Sequence, residues 1–87
     1  MSVMSEVKDN KDQKRFELVV EDQLVFANYR IEGETLYINY VEAPVSLRGT
    51  GAAGKLMEGI VALAKRENYN IVPICSYAAA WLRRHAN

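Results

Sequence analysis

What this sequence has little of narrows the possibilities first. It holds one cysteine, Cys75, among 87 residues, so no disulfide can form within the chain and no Cys-rich zinc site can be assembled. A single free thiol belongs in a reducing compartment. There is one histidine, His85, and the formal net charge is zero, with 11 basic and 11 acidic residues. That balance offers no basic face to a nucleic acid. No apolar run approaches the roughly 18–20 residues of a membrane span. The stretch Met1 to Glu6 lacks the basic and apolar regions of a signal peptide, so the expected location is cytoplasmic, with no membrane partner.

What is present is globular: hydrophobic residues make up 49% and charged residues 25%, a composition able to build a core. The length fits one domain. Residues 1–14 mix Lys8, Lys11 and Lys14 with Glu6, Asp9 and Asp12 without an apolar period, and read as a flexible N-terminal arm before a domain over 15–87.

Three strand-like runs open that domain. Phe16, Leu18 and Val20 alternate with Glu17 and Val19, and a polar break at Glu21-Asp22-Gln23 leads into a second run, Leu24 to Ile31. The third, Thr35 to Val41, is expected to carry Leu36, Ile38 and Tyr40 on one face, with Glu32-Gly33-Glu34 as the turn before it. The period then changes. Ala53, Leu56, Met57, Ile60, Leu63 and Ala64 follow helical spacing, predicting a helix from about Thr50 to Asn68. Ile71, Val72, Ile74 and Cys75 read as a short buried strand. Ser76 is the expected N-cap of a last helix ending in Arg83, Arg84 and His85, where positive charge suits the dipole. The predicted order is β-β-β-α-β-α, an α+β fold: an antiparallel meander, then one parallel strand pair made by a right-handed crossover.

Between the third strand and the long helix lies Arg48-Gly49-Thr50-Gly51-Ala52-Ala53-Gly54-Lys55. Glycines let backbone approach a ligand, and the first N–H groups of a helix are unpaired donors at a positive dipole end, so such a turn suits phosphate oxygens. A turn that only redirects the chain is the plainer reading. Gly49-x-Gly51-x-x-Gly54 fits the dinucleotide fingerprint, but the next strand, Ile71-Val72-Pro73-Ile74-Cys75, offers no carboxylate for a ribose, and an antiparallel meander contradicts that fold. Gly49-x-x-x-x-Gly54-Lys55 nearly matches a P-loop, yet Leu56 stands where a Ser or Thr must hold magnesium. No metal is expected.

The remaining pattern, Arg48-x-x-Gly51-x-Ala53, resembles the acyl-CoA signature of the GCN5-related N-acetyltransferase superfamily. Glu42-Ala43-Pro44, Leu47 to Gly51, and Val72 through His85 resemble its small YjdJ-like single-domain subgroup, over about residues 16–85. The resemblance implies a minimal acyl-CoA N-acyltransferase fold that uses acetyl-CoA as co-substrate. Carried over, backbone amides from Arg48 through Gly49, Thr50, Gly51, Ala52, Ala53 and Gly54 hold the CoA pyrophosphate, with Lys55 as a screening charge. Pantetheine pairs with the splayed strand end around Ala43 and Val45. Glu42, the carboxylate nearest that slot, is a candidate base. The superfamily often uses a Tyr of the last helix as acid, which makes Tyr77, at the start of that helix, the candidate here, although Trp81 occupies the position where the subgroup often has an aromatic, frequently Tyr. Cys75 beside the same helix start is a candidate acyl carrier, since a helix N-terminus favours thiolate, the alternative being that it only lines the slot. The acceptor is an unidentified amine, on a small molecule or a protein partner. The competing function is a non-catalytic acyl-CoA-binding or interaction module.

Overall fold

Alternating apolar residues and two tight turns build most of the sheet. In the computed structural model, which describes residues 7–85, strands β2 (Arg15–Val20) and β3 (Gln23–Glu32) form an antiparallel hairpin in which Val20 faces Gln23. The two turn residues, Glu21 and Asp22, both take positive φ, the geometry of the turn that matches strand twist. A second two-residue turn joins β3 to β4 (Thr35–Glu42), pairing Glu32 with Thr35. A 3₁₀ turn, Val45–Leu47, then leads to helix α1 (Ala52–Glu67), strand β5 (Asn70–Pro73) and helix α2 (Ser76–His85). The expected α+β class, the meander and the parallel β4–β5 pair are all observed.

One strand is additional. Lys8–Asn10 form β1, antiparallel to β2 at the sheet edge, where the sequence suggests only an arm. Polar side chains hold it: the Tyr29 hydroxyl donates to the Asp9 carboxylate, and Asn10 Nδ2 donates to Glu17 Oε2 at 2.9 Å. Val7 lies over Gly59 of α1, where any β-carbon would collide with it. A strand of Lys, Asp and Asn has no apolar alternation to betray it. Residues 1–6 of the expected arm lie outside the described residues.

Phe16, Leu18, Val25, Ala27, Leu36 and Ile38 from the sheet meet Leu56, Met57, Ile60 and Ala64 of α1, and Ala78 and Trp81 of α2, in a single buried cluster. Both helices therefore cover one face of the sheet. Each fully buried Leu or Ile contributes about 1.5–3 kcal/mol of apolar transfer. Helix α1 ends where Asn68 takes a left-handed conformation and its N–H reaches back to Ala64 and Lys65. No helix among the described residues is long and apolar enough to cross a membrane.

Two expectations are corrected. The strand read as buried, β5, is the sheet's other edge, and Val72 and Ile74 are exposed; a short apolar run cannot by itself distinguish an edge from a centre. Tyr40 does not share the face of Leu36 and Ile38. The register passes from Tyr29↔Ile38 to Asn28↔Tyr40, leaving Asn39 as an extra residue in β4. This bulge reverses the alternation beyond it. Val41 and Ala43 then pack against the core, while Tyr40 is 48% exposed.

Candidate functional site

The parallel pair ends early. Thr35 to Ile38 match Asn70 to Pro73, and the Ile38 carbonyl accepts from both Ile74 N–H, at 2.9 Å, and Cys75 N–H, at 3.1 Å. Beyond that forked contact β5 turns into α2, while β4 continues through its bulge with β3 on one side and no strand on the other. A strand edge left open in this way presents unpaired backbone groups.

That open edge is one wall of a cleft of about 510 Å³. Tyr40, Val41, Glu42 and Ala43 come from β4, Leu47 to Gly49 and Gly51 to Gly54 from the loop and first turn of α1, and Tyr77 from α2. Leu47 is buried and pins the loop to the core. Gly49 and Gly51 have φ of 83° and 91°, a left-handed conformation that a side chain rarely tolerates, so the glycines are what allow this turn. Gly51 is the N-cap of α1. Gly54 faces the Trp81 indole, whose Nε1 would lie 3.2 Å from a β-carbon there. Among the described residues, the N–H groups of Gly49, Gly51, Ala53 and Gly54 have no hydrogen-bond acceptor, as expected where a helix begins. These donors sit at the positive end of the α1 dipole and face an open cavity. The arrangement fits an anion.

Charge elsewhere in the cleft is linked. The Tyr40 hydroxyl donates to Glu42 Oε1, and Arg48 Nη2 lies 3.7 Å from Glu42 Oε2. Arg48 also donates through Nε to the Ala43 carbonyl at 3.2 Å. The hydrogen bond to Glu42 holds the Tyr40 phenol above its ordinary range. Burial raises that of Tyr77, with Arg84 acting against it. Both phenols stay protonated at neutral pH and are available as donors.

The structure thus gathers most of the residues singled out from the sequence: Glu42, Tyr77, Ala43, Arg48, Gly49, Gly51, Ala52, Ala53 and Gly54 all line the cleft. Four others do not. Val45 is exposed on the 3₁₀ turn, its carbonyl accepting from Arg48 N–H at 3.1 Å. Thr50 Oγ1 turns inward and donates to the Leu47 carbonyl at 2.6 Å, tightening the loop. Lys55 points to solvent from the first turn of α1. Cys75, half-buried, is at the fork where β4 and β5 part, immediately before α2, and its carbonyl accepts from Ala79 N–H at 3.0 Å. Ser76 is accordingly the first helical residue rather than the cap. His85 stacks on Trp81 at 4.0 Å between ring centroids, with Nδ1 2.8 Å from the Trp81 carbonyl, and takes no part in the cleft. Tyr40, Val41 and Leu47 are the lining residues that sequence reasoning did not single out. Strict alternation assigns Tyr40 to the core, and only the bulge moves it.

No curated protein matches the chain. A family model described as GCN5-related N-acetyl-transferase matches residues 15–87.

Proposed function

The chain belongs to the GCN5-related N-acetyl-transferase family, and from that membership we propose that it transfers an acetyl group from acetyl-CoA to an amine, with the cleft between β4, the glycine loop and α2 as the active site. The observation that carries this reading is the row of unpaired N–H groups at Gly49, Gly51, Ala53 and Gly54, at the start of α1 and beside the open edge of β4. Such donors hold pyrophosphate oxygens without a dedicated cation. Arg48 and Lys55 add positive charge near them. The free edge of β4 toward Ala43 can take an extended pantetheine as a further strand.

Chemistry at the thioester then asks little of the protein. Glu42 takes the proton of the acceptor ammonium, freeing the nitrogen lone pair. As the nitrogen bonds to the carbonyl carbon and the carbon–sulfur bond breaks, Tyr77 gives its proton to the departing thiolate. The attacking nitrogen sheds a second proton to solvent as the amide forms, Tyr77 is reprotonated from solvent in exchange, and the net proton released is the one Glu42 took. The location of Cys75 at the strand fork favours one second route, in which its thiolate first accepts the acetyl group and then yields it to the amine. Cys75→Ala decides between them. Loss of transfer with unchanged CoA affinity selects the covalent route, and retained transfer selects the direct one.

Incubation with acetyl-CoA and a panel of amines, following thiol release, tests the function itself. An amide NMR titration with CoA tests the site, with shifts expected across Ala43 to Lys55 and Cys75 to Tyr77. Binding without turnover toward any amine would return the chain to the role of an acyl-CoA-binding module. Silence at those amides overturns the site.

A further inference from the structure

The bulge at Asn39 has a chemical consequence. Residues 40 and 42 are two apart in one strand and so share a face. Without the extra residue they would follow Leu36 and Ile38 toward the helices. With it they lie opposite Asn28 and Phe26, on the face that neither helix covers. Glu42 therefore meets the cleft from the side away from the core, with a half-exposed Tyr40 beside it. No β5 residue flanks either of them, because β5 has already turned away after Pro73.

Two side chains grip the Glu42 carboxylate: the Tyr40 hydroxyl at Oε1 and the Arg48 guanidinium at Oε2. They are not equivalent. Arg48 stands on the loop whose unpaired amides suit an anion, it is 61% exposed, and its distance to Oε2, 3.7 Å, is beyond hydrogen-bonding range. A phosphate arriving at that loop competes directly for Arg48. Tyr40 belongs to the same strand as Glu42 and meets no such competitor. Resting on the proposed acetyl transfer with Glu42 as base, we infer that Tyr40 is the positioning residue that keeps the Glu42 carboxylate aimed into the cleft once acyl-CoA has drawn Arg48 away.

The charged and titratable groups around the Tyr40 hydroxyl are Glu42 on its own strand, Arg48 from the loop and Cys75 just before α2. The hydrogen bond to Glu42 outweighs the opposing pull of Arg48 and holds the phenol above its ordinary range, so it stays a donor at neutral pH.

Tyr40→Phe removes the hydroxyl and keeps the ring, at an exposed position where folding is not at stake. Its kcat for acetyl transfer should fall about ten- to a hundred-fold, the range a misoriented proton acceptor produces, with KM for acetyl-CoA and CoA affinity unchanged. Tyr37→Phe, on the same open face under Arg30 and outside the cleft, should match the wild type. An ultraviolet titration of the phenols gives an activity-independent readout. Glu42→Gln should move one tyrosine transition down toward its ordinary value, and adding Tyr40→Phe should delete that transition. Wild-type kcat in Tyr40→Phe overturns the positioning role while the transfer function stands. A phenol titration indifferent to Glu42→Gln overturns the pairing. A wild-type protein that binds CoA and transfers nothing overturns the acetyl-transfer reading, and this role with it.

Discussion

Strand β4 contains two regions that differ in nearly every physical respect. Up to Ile38 it is flanked on both edges, by β3 and β5, with Leu36 and Ile38 wholly buried under the helices. From Asn39 onward it keeps only β3, its exposed face carries Tyr40 and Glu42, and its free edge opens on the cleft. The first half is scaffold: it is paired on both edges, and its core-facing side chains are enclosed. The second half leaves one strand edge without a partner strand, an edge that an extended ligand can complete. One inserted residue separates the two regimes.

The largest effect expected from breaking this contrast is on stability. Ile38→Ala leaves a cavity in the first half and should cost about 2–5 kcal/mol in urea unfolding, whereas Tyr40→Ala in the second should cost under about 1 kcal/mol. Similar losses at the two positions would erase the distinction.

Gly51→Ala comes next. A β-carbon there meets no atom within 4 Å, so only backbone strain at φ 91° opposes it, about 1–2 kcal/mol. A turn reshaped to relieve that strain also moves the unpaired amides, so calorimetry should find weaker CoA binding alongside a lower Tm.

The smallest effect lies at the far edge of the sheet. Arg15, and after it Asn10, hold the Glu17 carboxyl below its ordinary value of 4.5. A depressed carboxylate contributes stability that is fully present above that value and is lost as pH falls through the folded one. In Glu17→Gln this part of the acid dependence should vanish, with a change under about 1 kcal/mol at neutral pH because the pair is near solvent. Transfer activity should not change. Glu17 and Glu42 are both strand carboxylates beside an arginine, yet only Glu42 faces the cleft.

Local chemistry carried much of the fold and part of the site. Helical spacing of Leu56, Met57, Ile60 and Ala64 located α1 to within two residues of its observed start and one of its end. The turn at Gly33 and the alternation through Phe16 and Leu18 gave the meander. The glycine loop was legible because a left-handed turn entering a helix requires glycine whatever surrounds it. Strand β1 was not legible, because Lys8, Asp9 and Asn10 carry no apolar alternation and the hydroxyl that anchors Asp9 comes from Tyr29, remote in sequence. Nor was the edge position of β5, since burial depends on which strands lie beside it.

By itself, then, the sequence determined the periods: where strands alternate, where a helix begins, and where backbone donors are left free. Those are properties of neighbouring residues, read out at 2.0 or 3.6 residues per repeat. The tertiary structure decided the parity of β4. Pairing with β3 fixes register on both sides of Asn39, and the two registers differ by one residue, so Tyr40 and Glu42 turn from the core to the cleft. A one-residue shift inverts every side chain beyond it, and only the partner strand can impose it.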